Sequence, residues 1–216
     1  MTQLPDPLVL AAFLAVVALV PFLAIMVTSF VKLAIVLSLV RNALGVQQIP
    51  PNMAIYGLAI ILSVYIMAPV GYAIAEGIRG LNVDLSTSEG VMMALETGSE
   101  PLREFLMRHT SAAQREFFLH TATRLWPAEM TETLTADSYF ILAPAFTVSE
   151  LTLAFQIGFL LYLPFVVIDL IVSNILLAMG MMMVSPMTIS LPLKLFLFVM
   201  VDGWSRLIEG LVLSYA

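Results

Sequence analysis

The sequence predicts an all-α membrane-complex protein with two long apolar helical hairpins (residues 1–80 and 144–216) flanking a helical, acidic soluble insert (81–143). Three observations carry this expectation. The 216 residues are 61% apolar and only 11% charged, with a mean hydropathy of +1.01, well outside the range of soluble domains. Most ionised side chains fall between Glu76 and Glu150, leaving only Asp6, Lys32, Arg41, Asp169, Lys194, Asp202, Arg206 and Glu209 elsewhere. The uncharged runs on either side are long enough to cross a bilayer. With 15 acidic against 9 basic residues the net charge is −6, which argues against a general binder of nucleic acid or anionic membrane surfaces. Cysteine is absent, which excludes disulfides, a thiolate nucleophile and cysteine metal sites.

In the first block no charge separates Asp6 from Lys32, and the apolar run continues to Val40. One helix over 8–40 would be roughly 50 Å long, against a bilayer core of about 30 Å. Pro21 is the expected kink. Lys32 must reach an interface or a partner, since a lone ammonium at the bilayer centre costs at least about 3 kcal/mol. Residues 1–7 hold an acid and no base, which is unlike a secretory signal, so the segment is expected to be retained. Pro50 and Pro51 end the helix, and 53–75 supplies a second uncharged stretch interrupted by Pro69. Arg41 in the connection favours the cytoplasm and the lysine-free insert the opposite side, placing both termini outside the cytoplasm.

In the insert, Ser86, Thr87, Ser88 and Glu89 spell a capping box ahead of Val91, Met92, Met93 and Leu95. Gly98 is expected to end that helix and Ser99 to open another. Leu102, Phe105, Leu106, His109 and Ala113 then keep helical spacing up to a break at Trp126 and Pro127, with Glu104 and Arg108 as an i,i+4 pair.

The second block repeats the plan. Residues 151–179 are apolar except for Asp169; 187–215 are apolar except for Lys194, Asp202, Arg206 and Glu209. Between them Gly180 suits a helix end, and Ser185 before Pro186 reads as a cap followed by proline at the first helical position.

Polar groups in apolar helices are the candidates for chemistry, because each is costly unless paired. Asp169 and Lys194 stand about 13 and 12 residues from the turn, so an antiparallel hairpin brings them to similar depth. They read as a structural salt bridge or subunit contact, or alternatively, with Asp202, as the relay of a proton-coupled transporter. Asp202, Arg206 and Glu209 have helical spacing and read as a stripe facing protein. An enzyme finds little support: His109 and His120 lack metalloprotease spacing and read as packing or surface histidines. An intramembrane aspartyl protease would need Asp169 and Asp202, yet Met200 and Val201 stand where a GxGD pattern needs glycine. Nucleotide-binding glycine loops are missing. No catalytic residue, cofactor or metal site is expected.

The turn Gly180, Met181, Met182, Met183, Val184, Ser185, Pro186 is the most distinctive local feature. Methionine is flexible and polarisable, so a ring of these side chains from several subunits would form a gasket. Composition alone favours a plain hairpin tip; oligomerisation reverses that preference.

Two stretches carry a resemblance. Pro144, Ala145, Phe146, Thr147, Val148, Ser149, Glu150 and Leu151, continuing through Ala154, Phe155, Gln156, Ile157, Gly158 and Phe159, resemble the first signature of the SctR/FliP family of type III secretion and flagellar export proteins. Pro164, Phe165, Val166, Val167, Ile168, Asp169, Leu170, Ile171, Val172 and Ser173 resemble the second. Residues 28–44, the 47–52 turn, 179–192 and 201–204 add further likeness. The resemblance implies a non-enzymatic core subunit of an export pore, several copies joining smaller SctS/FliQ-type and SctT/FliR-type partners, with SctU/FlhB-type and SctV/FlhA-type proteins and the basal-body ring nearby. It implies unfolded protein substrates, an inner-membrane location, contact with lipid and none with nucleic acid, and hairpins raised above the membrane plane. Met181, Met182 and Met183 match the family's channel-narrowing loop, and the virulence-like turn at 46–51 points to an injectisome. The charged residues Lys32, Glu150, Asp169, Lys194, Asp202 and Arg206 would then find protein partners.

Overall fold

The computed structural model describes residues 14, 18–19, 21–22, 24–46, 48–81 and 87–216. From residue 30 onward eight helices follow one another among these residues: α1 (Phe30–Ala43), α2 (Asn52–Gly80), α3 (Ser88–His109), α4 (Ala112–Leu125), α5 (Ala128–Thr131), α6 (Tyr139–Ala178), α7 (Pro186–Met200) and α8 (Gly203–Leu213). No strand occurs among them, so the all-α expectation holds.

The central rod is α6. Its 40 residues make roughly 60 Å of helix, and α1, α3, α4 and α7 all pack along it. The main core joins Leu33, Val36, Leu37 and Val40 of α1 to Ile55 and Ala59 of α2, Ala154 and Phe165 of α6, Phe198 of α7 and Leu207 and Leu211 of α8. A second core, under the insert, joins Phe105 and Leu106 of α3 to Leu142 and Phe146 of α6 and to Tyr215. The two hairpins therefore lock together through α1 and α6, which approach so closely at Gly158 that an added Cβ would lie 2.2 Å from Leu39 Cδ1.

Several elements differ from the expectation. Residues 24–26 are helical, but a turn at 27–29 separates them from α1, so the first apolar run is not one unbroken helix to Val40. The cause is tertiary: Ser29 is buried there and its Oγ donates to Ser63 Oγ of α2 at 3.0 Å. Ser86 lies outside the described residues; the cap of α3 is Thr87, whose Oγ1 accepts from Gly90 N at 3.1 Å. Gly98 does not end this helix, which runs on through Pro101 to His109. Gly98 instead lets α2 approach, since a Cβ there would stand 3.1 Å from Ile78 Cδ1. The break falls at Thr110 and Ser111, both extended, where Ser111 N donates to Ser149 Oγ of α6 at 3.1 Å. The last arm is also divided: Val201 ends α7, and Asp202 adopts the left-handed conformation (φ 54°) before α8.

Only α2 and α6 among the described helices are long and apolar enough to cross a bilayer, and 17% of the most apolar stretch of each is buried by the rest of the chain. On α6 Phe155, Phe159, Leu160 and Leu170 are 58–66% exposed, and on α2 Ile61, Val64, Tyr65 and Tyr72 are 66–68% exposed, far more contiguous apolar surface than a soluble monomer leaves bare. The chain's apolar helices therefore need covering from outside.

The contact at Gly158 predicts opposite signs for two substitutions in the detergent-solubilised chain. Gly158→Val should lower the melting temperature, at a cost of about 1–3 kcal/mol from overpacking. Gly71→Ala, with nothing within 4 Å of its Cβ position, should raise it by roughly 0.5–1 kcal/mol of helix propensity. Equal melting temperatures for Gly158→Val and the parent would contradict the close approach of α1 and α6.

Candidate functional site

Along α6 the residues Phe146, Glu150, Ala154 and Gly158 recur every fourth position and are all buried, so one ridge facing α1 carries a single carboxylate among apolar neighbours. Lys32 sits on the inward face of α1, one turn before Val36. Its Nζ lies 3.4 Å from Glu150 Oε1, with the side chains 2% and 1% exposed. The same ammonium stands 3.5 Å over the ring of Tyr215, whose hydroxyl donates to Glu150 Oε2. The cation thus has a carboxylate and an aromatic face, and the carboxylate has two donors. That arrangement offsets a desolvation cost that would otherwise amount to several kcal/mol per ion.

Polar contacts extend from this centre to α2 and to the start of α4. Tyr215 Oη is 3.5 Å from Ser29 O, and Ser29 reaches Ser63 on α2. Ser149, next to Glu150, donates to Ala145 O at 2.7 Å while accepting from Ser111 at the start of α4. On the insert side His109 packs its ring 5.0 Å from Tyr215 and 4.7 Å from Phe105. Burial, and then the positive charges of Lys32 and Arg108, hold its imidazole below the ordinary histidine range. His109 is therefore a packing histidine kept neutral, while His120 is exposed.

A second pair closes the other end of the core. Lys194 Nζ lies 2.5 Å from Asp169 Oδ2 and donates to Ala43 O, the last carbonyl of α1, at 3.3 Å. One cation thus ties α7 to α6 and complements the negative end of α1. The pair is lopsided: the Lys194 side chain is 6% exposed and that of Asp169 43%. Nearby, Arg41 Nη1 donates to Pro50 O at 3.2 Å and to Asn52 Oδ1 at 2.5 Å, clamping the connection between α1 and α2.

Asp202, Arg206 and Glu209 are exposed on this chain. Asp202 caps α8 from the left-handed region and accepts from Ser205 Oγ at 3.0 Å. Among the described residues no ion pair joins Arg206 or Glu209, so the stripe does not face protein within the single chain.

The methionine turn is built by its backbone. Met181 N donates to Leu176 O at 2.9 Å and Gly180 N to Leu177 O at 3.0 Å, with Gly180 at φ +74°. These two bonds form a Schellman motif, which satisfies the last carbonyls of α6 and needs the φ > 0 that glycine supplies. On the far side Ser185 is the cap residue and Pro186 the first residue of α7. The side chains contribute little to holding this turn: Met181, Met182 and Met183 are 43%, 81% and 101% exposed. Among the described residues no group of three histidine or carboxylate side chains converges to hold a metal ion.

Tyr215, Ser29 and Ser63 were not foreseen as site residues. The only sequence signal was the need of a tyrosine hydroxyl in an apolar segment for a partner; nothing in the spacing links Tyr215 to Lys32 or Glu150.

The FliP family model matches residues 13–211. This chain belongs to the FliP family. It is 60% identical over 215 residues to the Yop proteins translocation protein R of Yersinia pestis, covering 100% of this chain and 99% of that protein. It is 45% identical over 214 residues to the harpin secretion protein HrcR of Erwinia amylovora, covering 99% of each. It is 48% identical over 218 residues to the virulence protein YscR of Salmonella typhimurium, covering 99% of this chain and 100% of that one.

For this FliP-family chain the buried cluster predicts strong non-additivity. Lys32→Met or Glu150→Met alone should each cost about 3–5 kcal/mol, because the remaining charge is left unpaired, while the double variant should recover much of that loss. Additive losses in a double-mutant cycle of thermal stability would contradict the pairing. A second prediction concerns His109. Below about pH 6.5 the unfolded chain takes up a proton that the folded chain resists, so stability falls as pH drops and is unaffected above that range. The fall in melting temperature between about pH 7.5 and 5.5 should be smaller in His109→Phe than in the parent; an identical fall would contradict the neutral packing role.

Proposed function

We propose that this chain is a pore-forming core subunit of a bacterial type III protein export apparatus in the inner membrane. Several copies join smaller SctS/FliQ-type and SctT/FliR-type subunits to form the entry channel for unfolded secreted proteins. The observation that carries the reading is likeness over the whole chain to proteins named for translocation of Yops and secretion of harpins. The apolar surface left uncovered by the chain itself supports it, since sibling and partner helices would cover it, with lipid over the remainder. The SctU/FlhB-type and SctV/FlhA-type proteins and the basal-body ring are further expected neighbours, and the exposed Asp202, Arg206 and Glu209 offer polar contacts to such partners. An injectisome is the form of apparatus we propose, and the relative named as a virulence protein supports it.

In this reading Met181, Met182 and Met183 form the constriction. An export pore must be closed at rest, must open around a passing polypeptide and must ignore its sequence. Unbranched, flexible thioether side chains meet all three demands, and a turn held by its own backbone bonds leaves them free to conform. Lys32 with Glu150 and Lys194 with Asp169 are structural pairs that fix the helices behind the constriction. The chain carries out no bond chemistry of its own.

Replacing Met181, Met182 and Met183 together with Ala should leave assembly with the two smaller subunits intact and make the resting pore leak small ions. Ion flux across a membrane containing the assembled complex measures this. Unchanged permeability in a fully assembled triple variant would reject the constriction role.

A further inference from the structure

Three consecutive methionines occupy a turn whose hydrogen bonds are all main-chain: Met181 N to Leu176 O, Gly180 N to Leu177 O, Met182 N to Gly180 O and Val184 N to Met181 O. Met182 and Met183 are 81% and 101% exposed, so the chain itself shields neither thioether. A thioether that solvent reaches takes one oxygen atom from a peroxide. The sulfur lone pair attacks the outer peroxide oxygen, the O–O bond breaks, a sulfoxide S–O bond forms and water leaves, so sulfur is oxidised by two electrons and the peroxide reduced by two. The product is polar and a strong hydrogen-bond acceptor where the reactant was apolar. Because side-chain packing does not hold the Schellman motif, oxidation here changes the surface of the turn without removing what fixes its backbone.

We propose that Met181, Met182 and Met183 are a methionine-sulfoxide modification site through which hydrogen peroxide loosens the closed pore. The inference rests on the constriction reading of the same turn. Sulfoxides at the constriction would bind water where thioethers exclude it, so oxidised subunits would meet across a hydrated gap and pass ions at rest. The change is reversible, since sulfoxide reductases of both stereochemical classes restore the thioether. Buried apolar side chains such as Leu176, 8% exposed, lie behind the turn and have no comparable chemistry.

The test uses the full complex, extracted with its two smaller partners, treated with graded hydrogen peroxide and reconstituted into a planar bilayer. Peptide mass mapping reads roughly 16 Da per added oxygen. Met53, 86% exposed on α2, serves as an internal reference for oxidant dose. The expected result is oxidation of the turn at doses that oxidise Met53, with a several-fold rise in resting conductance that treatment with both reductases reverses. A Met181→Leu, Met182→Leu, Met183→Leu variant, compared with its own untreated state, should show no peroxide-dependent rise, while Met53→Leu should respond like the parent. Turn methionines that stay reduced at such doses, or conductance that does not change once they are oxidised, would overturn the proposal. So would an equal peroxide response in the leucine variant. If the alanine triple variant leaks while the oxidised parent does not, the oxidation proposal fails and the constriction survives; if neither leaks, both fail.

Discussion

The fold turns on one constraint: a lysine and a glutamate in apolar helices must meet. Lys32 on α1 and Glu150 on α6 cannot stay ionised in such surroundings except against each other and against Tyr215. Their meeting fixes how the two hairpins cross. Because α1 then lies along α6, the small residues Ala154 and Gly158 are needed on the facing ridge, and the helices come within contact distance at Leu39. Because Tyr215 completes the cluster, the last turn of the chain is held between the first hairpin and the insert, where His109 and Phe105 close over it. Elements far apart in sequence thus share one polar centre, and the apolar cores on either side of it are aligned by it.

The same constraint accounts for where the polar residues are not hidden. Asp169 is half exposed although its partner Lys194 is buried, and Asp202, Arg206 and Glu209 point away from the chain. A subunit that satisfied every charge internally would have no polar means of orienting a neighbour. Here the interior charges set the helix positions, and the outer ones stand on the otherwise apolar arms α6 to α8, where in the proposed assembly they would meet neighbours. Apolar contact supplies area without direction; unsatisfied polar groups at its margin supply register.

Much of the fold was legible in the sequence, and the failures share one cause. The apolar blocks, the acidic helical insert and the turn with Gly180 ahead of Ser185 and Pro186 follow from composition and from local backbone chemistry, which neighbours barely alter. The residue pair at equal depth on α6 and α7 follows from counting along a hairpin. What was not legible depended on contacts between distant segments. Gly98 has the look of a helix end, yet its missing side chain serves the approach of α2. The break at 27–29 exists because Ser29 turns towards Ser63 and Tyr215. The break at Thr110 and Ser111 exists because Ser111 finds Ser149. The division at Val201 and Asp202 depends on Phe198 and Trp204 meeting edge to face with ring centroids 5.3 Å apart, and on Gly203 lying so close to the Phe198 ring that a Cβ would stand 2.4 Å from it. In the site, Lys32 announced its need for a partner but not the partner's identity, and Tyr215 showed only a hydroxyl in need of a partner, with nothing to link it to this pair.

In the proposed assembly this chain is one wall of a multi-copy channel, with the Lys32–Glu150 pair buried within it and its apolar surface covered by siblings. The most direct measurement is the mass and subunit ratio, by native mass spectrometry, of the detergent-extracted particle co-expressed with its two smaller partners. A discrete particle with several copies of this chain is the expected result. A particle containing a single copy, or a chain that stays monomeric and dispersed without detergent, would contradict it.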